Sequence, residues 1–387
     1  MDKDILVGGL SLALAWDWTT TLTLIFGGCC SNALTLEQLT SEYPHAGSLI
    51  TFSQFLFISL HGLSKFVQFT PYPRLKPRQI SILPYLLQVV LFYLVSLLNN
   101  AAFAYKIPMP VHIVFRSGGL IVNMIMGWIL QRKRYHPRQI AAVLVVTAGV
   151  VLTTLSAVRP STNNLKTAQV APPMDTRLYM TGIFILSIAL LLSSILGIVQ
   201  DLTYTAYRKR VANQPKEPAQ SEPWQESMFY LHFLSMPMFL TMRQELGIQL
   251  QSLLLSPGIH ISLPTTPGVP RVSSYSSTSV THLQSSYSLA IPSAIVILLL
   301  NTITQLVCVA GVHRLTSRVT SLSVTLVLVV RKAVSLLISV LLFSDRYSQM
   351  DAKSKVMMLG GGALVFIGTS AYSLVPKQDP GDKTKKE

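Results

Sequence analysis

Acidic side chains are scarce in this sequence, and none lies near the middle of an apolar run. Only 16 of the 387 residues are Asp or Glu, and charged residues of both signs make up 12%. A water-soluble domain carries about 25%, so water is not the main solvent for this chain. The three cysteines, Cys29, Cys30 and Cys308, form no zinc-ligand spacing and read as small packing residues. HExxH, GxSxG and CxxC are missing, and no glycine-rich turn leads into GK[ST]. Metalloprotease, serine-hydrolase, dithiol and phosphate-loop chemistries are thereby excluded. Asp2-Lys3-Asp4 resembles an acidic metal-binding pair of glycosyltransferases but has no catalytic domain around it. No metal or other cofactor is expected, and no enzyme. The first apolar run (5–15) lacks a basic flank and a cleavage site, so a cleavable signal peptide is not expected. Basic residues are scattered over short loops without interleaved aromatics, which argues against nucleic acid as a partner.

What is abundant is apolar sequence, at 50% of residues. A bilayer span needs roughly 20 such residues. Ten segments qualify: about 18–37, 46–63, 80–103, 108–130, 138–157, 178–200, 227–242, 288–312, 319–343 and 355–374. The expectation is an all-α integral membrane protein of about ten transmembrane helices. The Ser/Thr/Pro-rich tract 243–287 has too little apolar content to fold alone and reads as a disordered insertion. With the N-terminus in the cytosol, 19 Lys and Arg fall on the cytosolic side and nine on the other. That bias places both termini in the cytosol.

The chain also resembles itself. Gly149 follows Tyr135 by 14 residues, Gly361 follows Tyr347 by 14, and a central cation precedes each tyrosine. This maps spans four and five onto nine and ten. The halves are then 1–157 and 178–375, joined by a lumenal loop 158–177 and followed by a basic tail 376–387. Five spans per half is an odd number, so the halves must be inverted relative to one another, the plan of many secondary transporters.

Two spans carry charge where water is scarce: Arg116 in PVHIVFRSGGLIVNMIMGWIL (110–130), and Arg331 and Lys332 in VTSLSVTLVLVVRKAVSLLISVLLF (319–343). Each mid-bilayer cation costs roughly 2.5–3.5 kcal/mol on insertion scales. Snorkelling works near helix ends, not at these positions. A structural role, with the cations bonded to backbone carbonyls or distant acids, is one reading. The other is that the partner arrives from solution as a polyanion such as a diphosphate. Helical spacing puts His112, Arg116 and Asn123 on one face, with Gly119 beside them. Ser321, Thr325, Lys332, Ser335 and Ser339 share another, from which Arg331 is rotated by about 100°. Asn99 and Asn100 close span three, and Asn301 and Gln305 lie one turn apart in span eight. Such amides either read a nucleobase and sugar hydroxyls or hold helices together.

GGCCSNALTLEQL (27–39), AGSLITFSQFLF (46–57), LLNNAAFAYKIPMPVHIVFRSGGLIVNMIMG (97–127) and TLVLVVRKAVSL (325–336) resemble the UDP-N-acetylglucosamine and UDP-xylose transporters. These form part of the UAA branch of nucleotide-sugar transporters, in the drug/metabolite transporter superfamily. The resemblance implies ten helices as two inverted repeats, in the endoplasmic reticulum or Golgi membrane. It implies import of a UDP-sugar, UDP-N-acetylglucosamine first, in exchange for lumenal UMP. By the same resemblance Arg116, Arg331 and Lys332 meet the phosphates. Asn99, Asn100, His112, Ser117, Asn301, Gln305 and Thr325 line the rest of the site. A homodimer is compatible with such a bundle. Lys383 and Lys385, three and five places from the C-terminus, match a dilysine retrieval signal read by the COPI coat; an ordinary solvated tail is the alternative. Other nucleotides or organic anions, and a lumenal glycosyltransferase or flippase, are the rival readings.

Overall fold

A computed structural model describes residues 15–68, 72–104, 118–157, 176–213, 222–262, 288–342 and 351–375. The chain is mostly helical. Helical residues 15–23 lead through a π-helical turn, Leu24–Gly28, into α1 (Cys29–Glu42). There follow α2 (Gly47–Phe66), α3 (Ile82–Ala104), α4 (Gly119–Gln131), α5 (Pro137–Ala157) and α6 (Thr176–Ala212). The second part holds α7 (Pro223–Ser235), α8 (Arg243–Leu254), α9 (Ser293–Thr316), α10 (Ser321–Leu342) and α11 (Ala352–Leu374). Five of these helices are long and apolar enough to cross a bilayer: α3, α5, α6, α9 and α11.

Local chemistry sets the boundaries. Pro137 and Pro223 sit at helix starts, where a missing N–H is no loss. Pro237 cannot donate within a helix, and from Met236 to Met242 the chain tightens into a 3-10 segment between α7 and α8. α3 shows how the bundle is turned inside out relative to a soluble protein. Tyr85, Gln88 and Val89 are buried, while Leu83, Leu87, Val90, Leu94 and Leu97 form an exposed stripe, Leu83 at 72%. An apolar stripe of that length needs lipid against it.

The expected disordered insertion 243–287 is corrected at its edges. Residues 243–254 form α8, and Gly258–Ser262 pairs antiparallel with Ser288–Pro292, Ile259 opposite Ile291. Leu253 of α8 is fully buried against Leu39, Leu49 and Leu298, and that buried contact gives the segment the apolar anchor its composition hides. The eighth apolar run accordingly starts as a strand and becomes helix only at Ser293. Residues 263–287 and 158–175 lie outside the described residues, as does the tail 376–387 with Lys383 and Lys385.

Contacts fix the direction of each helix pair. From Asp17–Arg314 through Gly28–Cys308 and Asn32–Gln305 to Thr35–Asn301, numbers rise on α1 and its lead-in as they fall on α9, so the two are antiparallel. α2 and α7–α8 are antiparallel too, from Leu49–Gln249 to Gly62–Phe229. α4 and α6 run parallel, from Asn123–Ser194 to Lys133–Asp201. α6 and α10 are antiparallel, from Gly197–Ser321 to Arg208–Ser317, which makes α4 and α10 antiparallel. α3 lies along α6, and α5 along α11.

The segments expected in the cytosol meet at one end of the bundle. Asp17 pairs with Arg314 and Arg318, and Lys133 with Asp201 at 3.0 Å. Arg208 donates to the carbonyls of Ser317 and Arg318 at 3.3 Å. The hydrogen bond from Arg318, with Arg314 adding to it, holds the Asp17 carboxyl below its usual range against the opposing desolvation. At the other end the Gln249 side chain accepts from Leu49 N at 2.8 Å, and Ser48 donates to Glu245 at 2.7 Å.

The two glycines that the internal similarity equates touch one another. A Cβ on Gly149 would lie 2.6 Å from the Gly361 carbonyl, and one on Gly361 would lie 2.7 Å from the Gly149 carbonyl. These are backbone atoms and cannot swing away. Nothing lies within 4 Å of a Cβ built on neighbouring Gly360. Gly361→Ala should therefore cost about 1–3 kcal/mol and lower the thermal midpoint of the purified protein. Gly360→Ala should leave that midpoint unchanged or slightly raised.

Candidate functional site

Arg331 projects from α10 towards α1. Its Nη1 lies 3.5 Å from the Cys29 carbonyl, a long contact, and its Nε is buried without a hydrogen-bond partner. Among the described residues no carboxylate pairs with it. One turn on, Ser335 donates to the thiol of Cys30 at 3.1 Å. Lys332 is exposed and shares the α10 face of Ser321 and Thr325.

Two polar clusters flank these cations along the bundle axis. The first joins α4, α6 and α10. Asn123 Nδ2 donates to Thr325 at 2.8 Å and Ser321 at 3.1 Å, and its carbonyl accepts from Ser194 at 3.4 Å. The second joins α1, α2 and α9. Asn301, fully buried, accepts from Gln54 at 2.7 Å and donates to Asn32 and Thr35, each at 3.0 Å. Asn32 in turn donates to Gln305 at 2.7 Å. An amide has four hydrogen-bonding positions at most, and Asn301 uses both N–H groups and one oxygen lone pair on helix partners. In this state it ties three helices together.

The expected site residues are thus distributed as follows. Thr325, Arg331 and Lys332 lie on α10, Gln305 is one turn from Asn301 on α9, and Asn99 donates to its own helix at Val95, 2.8 Å away. Asn100 is helical. His112, Arg116 and Ser117 fall outside the described residues. Sequence reasoning missed Asn32, Thr35, Gln54 and Ser194 as partners. Amides inside spans one and two were the available signal.

The reading of the cysteines as packing residues needs correction. Cys29 and Cys308 form a disulfide with Cα atoms 4.5 Å apart, and only Cys30 is a free, buried thiol. Gly28 makes the approach feasible, since a Cβ there would meet the Cys308 amide nitrogen at 2.7 Å. The two sulfurs stand 279 residues apart in sequence, a proximity no spacing rule announces.

A family model described as the UAA transporter family matches residues 18–376. The chain is 33% identical to the UDP-N-acetylglucosamine transporter YEA4 of Saccharomyces cerevisiae, over 96% of this chain and 99% of the yeast protein. It is 33% identical to the UDP-xylose and UDP-N-acetylglucosamine transporter of Danio rerio, over 93% and 94% of the two chains. It is 35% identical to the endoplasmic reticulum GDP-fucose transporter of Drosophila melanogaster, over 92% and 90%. With the family model covering residues 18–376 and these relatives covered over nearly their whole length, the chain belongs to the UAA transporter family.

Proposed function

We propose that the chain is a nucleotide-sugar exchanger that brings UDP-N-acetylglucosamine into the lumen of the endoplasmic reticulum or Golgi and returns UMP. The observation that carries this reading is Arg331, half-buried on α10 with a buried, unpartnered Nε and without a paired carboxylate among the described residues. An arriving diphosphate supplies the missing charge. Depth supports the same grouping. Asn123 meets Thr325 between antiparallel α4 and α10. Arg116 lies seven residues before Asn123 and Lys332 seven after Thr325. Lys332 stands about 10 Å along α10 from that contact at 1.5 Å per residue, and the family resemblance groups Arg116 with it.

Ten spans in two inverted halves form the frame of this proposal. The pairing of helices supports it. Under a two-fold axis relating spans one to five with six to ten, spans two and seven, four and nine, and five and ten pair with their own equivalents. Spans one and eight then mirror six and three. α2 packs on α7, α4 on α10, α5 on α11, α1 on α9 and α6 on α3. The two polar clusters lie on either side of Arg331, so each is a contact that one access state keeps and the other breaks. An empty carrier would bury Arg331 on its way through the occluded state, at a cost that a bound anion offsets. That difference favours obligatory exchange.

The relatives' names include both uridine and guanosine sugars, so the base is a point of choice. Uridine is proposed on the weight of the yeast and fish relatives and on the resemblance of the span-four block; the fly relative keeps a GDP-sugar reading open. In proteoliposomes, uptake of labelled UDP-N-acetylglucosamine should rise roughly tenfold or more on preloading with UMP, with unlabelled UDP-sugars competing and GDP-sugars not. Uptake of GDP-fucose driven by GMP instead would reverse the assignment. Lys332→Ala and Arg116→Ala should each reduce exchange about tenfold or more, the worth of a charge-assisted hydrogen bond to phosphate. Wild-type rates in both variants would reject the phosphate role. For the tail, replacing Lys383 and Lys385 by serine should shift a tagged protein from the endoplasmic reticulum to later compartments. An unchanged distribution would mean that the lysines are no retrieval signal.

A further inference from the structure

A second basic site lies outside the transport machinery, at the end of the bundle that gathers Asp17, Lys133, Arg208 and Arg314. A cavity of about 410 Å³ is lined by Leu75, Lys76, Pro77, Arg78, Ile80, Ser81 and Arg210. Three of its side chains are cations, one is a hydroxyl and none is a carboxylate. We propose that this cavity binds the headgroup of an anionic phospholipid that carries a phosphomonoester.

The cavity wall is held in place before any ligand arrives. A short antiparallel pair, Val67 opposite Leu75 and Gln68 opposite Arg74, folds the α2–α3 connection back on itself. Lys76 N donates to the Phe66 carbonyl at 2.9 Å. Glu226, at the start of α7, accepts from Gln79 N at 2.8 Å, Ile80 N at 3.1 Å and the Tyr85 hydroxyl at 3.2 Å. Arg210 donates to the Gln79 carbonyl, and the Tyr207 hydroxyl donates to the Gln79 side chain at 2.6 Å. The Arg78 guanidinium lies 6.0 Å from the Tyr230 ring centroid, within cation–π range.

Among the described residues, the carboxylates at this end are committed elsewhere. Glu226 is 1% exposed and spends both oxygens on the bonds just described. Asp201 pairs with Lys133, and Asp17 with Arg314 and Arg318. Glu222 acts on Tyr207 and does not line the cavity. Arg78 and Arg210 are exposed and Lys76 is half-buried, and among the described residues none of the three pairs with a carboxylate. Arginine forks match phosphate oxygens in pairs, and a phosphomonoester brings a charge of about −1.5 to −2.

Depth and surroundings select a lipid over a soluble phosphate. The apolar span of α3 begins at Ile82, immediately after the lining residue Ser81, so the cavity sits where a span leaves the hydrocarbon. Leu75 in the lining is 47% exposed and Leu83, two residues past Ser81, faces outward as well. A ligand there would have its phosphate on the cations and an acyl chain along those leucines. Basic recesses at the cytoplasmic ends of spans suit the anionic lipids of that leaflet. A volume of this size accommodates a substituted headgroup of small-molecule dimensions.

The test uses the full chain purified in detergent, with bound lipid counted by native mass spectrometry. Phosphatidylcholine, phosphatidylinositol and a phosphatidylinositol monophosphate are offered at equal concentration, with inorganic phosphate as a separate competitor. The wild type should retain the monophosphate over phosphatidylcholine by roughly tenfold or more. Lys76→Gln with Arg78→Gln should lose that preference, while Arg138→Gln, on α5 and outside the cavity, should keep it. A preference unchanged in the double variant, or displacement of the lipid by millimolar inorganic phosphate, overturns the proposal. Should the double variant not fold, a photoreactive monophosphate lipid in phosphatidylcholine vesicles holding the wild type decides. Adducts at 75–81 or 208–212 are expected, and adducts confined elsewhere overturn it. Neither readout depends on transport, so failure here leaves the exchanger reading intact.

Discussion

Positive charge in the middle of an apolar helix is the constraint on which the rest of the structure turns. Arg331 meets the bundle with one long contact to a backbone carbonyl and a buried, unpartnered Nε. A buried charge left without full compensation is worth several kcal/mol of instability, comparable to much of a protein's net stability. A chain that keeps such a residue must hold its helices together by other means. The described contacts supply them. The Cys29–Cys308 disulfide, the Asn301 and Asn123 clusters and the glycine crossing at Gly149–Gly361 each join helices far apart in sequence.

These joints are of different kinds, and the difference bears on motion. The glycine crossing is backbone against backbone and has no slack. The amide clusters are short side-chain hydrogen bonds whose partners can be exchanged for others at modest net cost. A bundle built this way holds α5 in register with α11, and α1 with α9 through the Cys29–Cys308 disulfide, more firmly than it holds the pairs joined by amides alone. The ion pairs of Asp17 with Arg314 and Arg318 lie at one end of the bundle, where water is available to screen them.

Much of this was legible in the sequence. Apolar length marked the helices, with α3 and α11 found to within a few residues, because a lipid-facing stripe and a buried stripe are both apolar and together make an unbroken run. Lysine and arginine counts sorted the connections into two sets that the contacts then gathered at two ends. The pairing of Gly149 with Gly361 was visible as a repeat although its meaning, mutual contact, was not. Helix α8 and the strand pair after it were hidden in a polar tract whose apolar residues, Leu253 above all, become meaningful only against Leu39 and Leu298. The disulfide and the partners of Asn301 were beyond reach for one reason. Each joins residues more than 240 positions apart, and no local pattern encodes which amide or thiol will face another.

The central claim is that Arg331 is kept for a travelling anion and not for the fold. Thermal unfolding of Arg331→Met, alone and with saturating UDP, separates the two directly. The account predicts that the ligand-free variant is as stable as the wild type or more so, because a buried charge has been replaced by an apolar side chain, and that the stabilisation UDP gives the wild type is lost. A variant that unfolds earlier without ligand, yet gains as much from UDP as the wild type does, would contradict it.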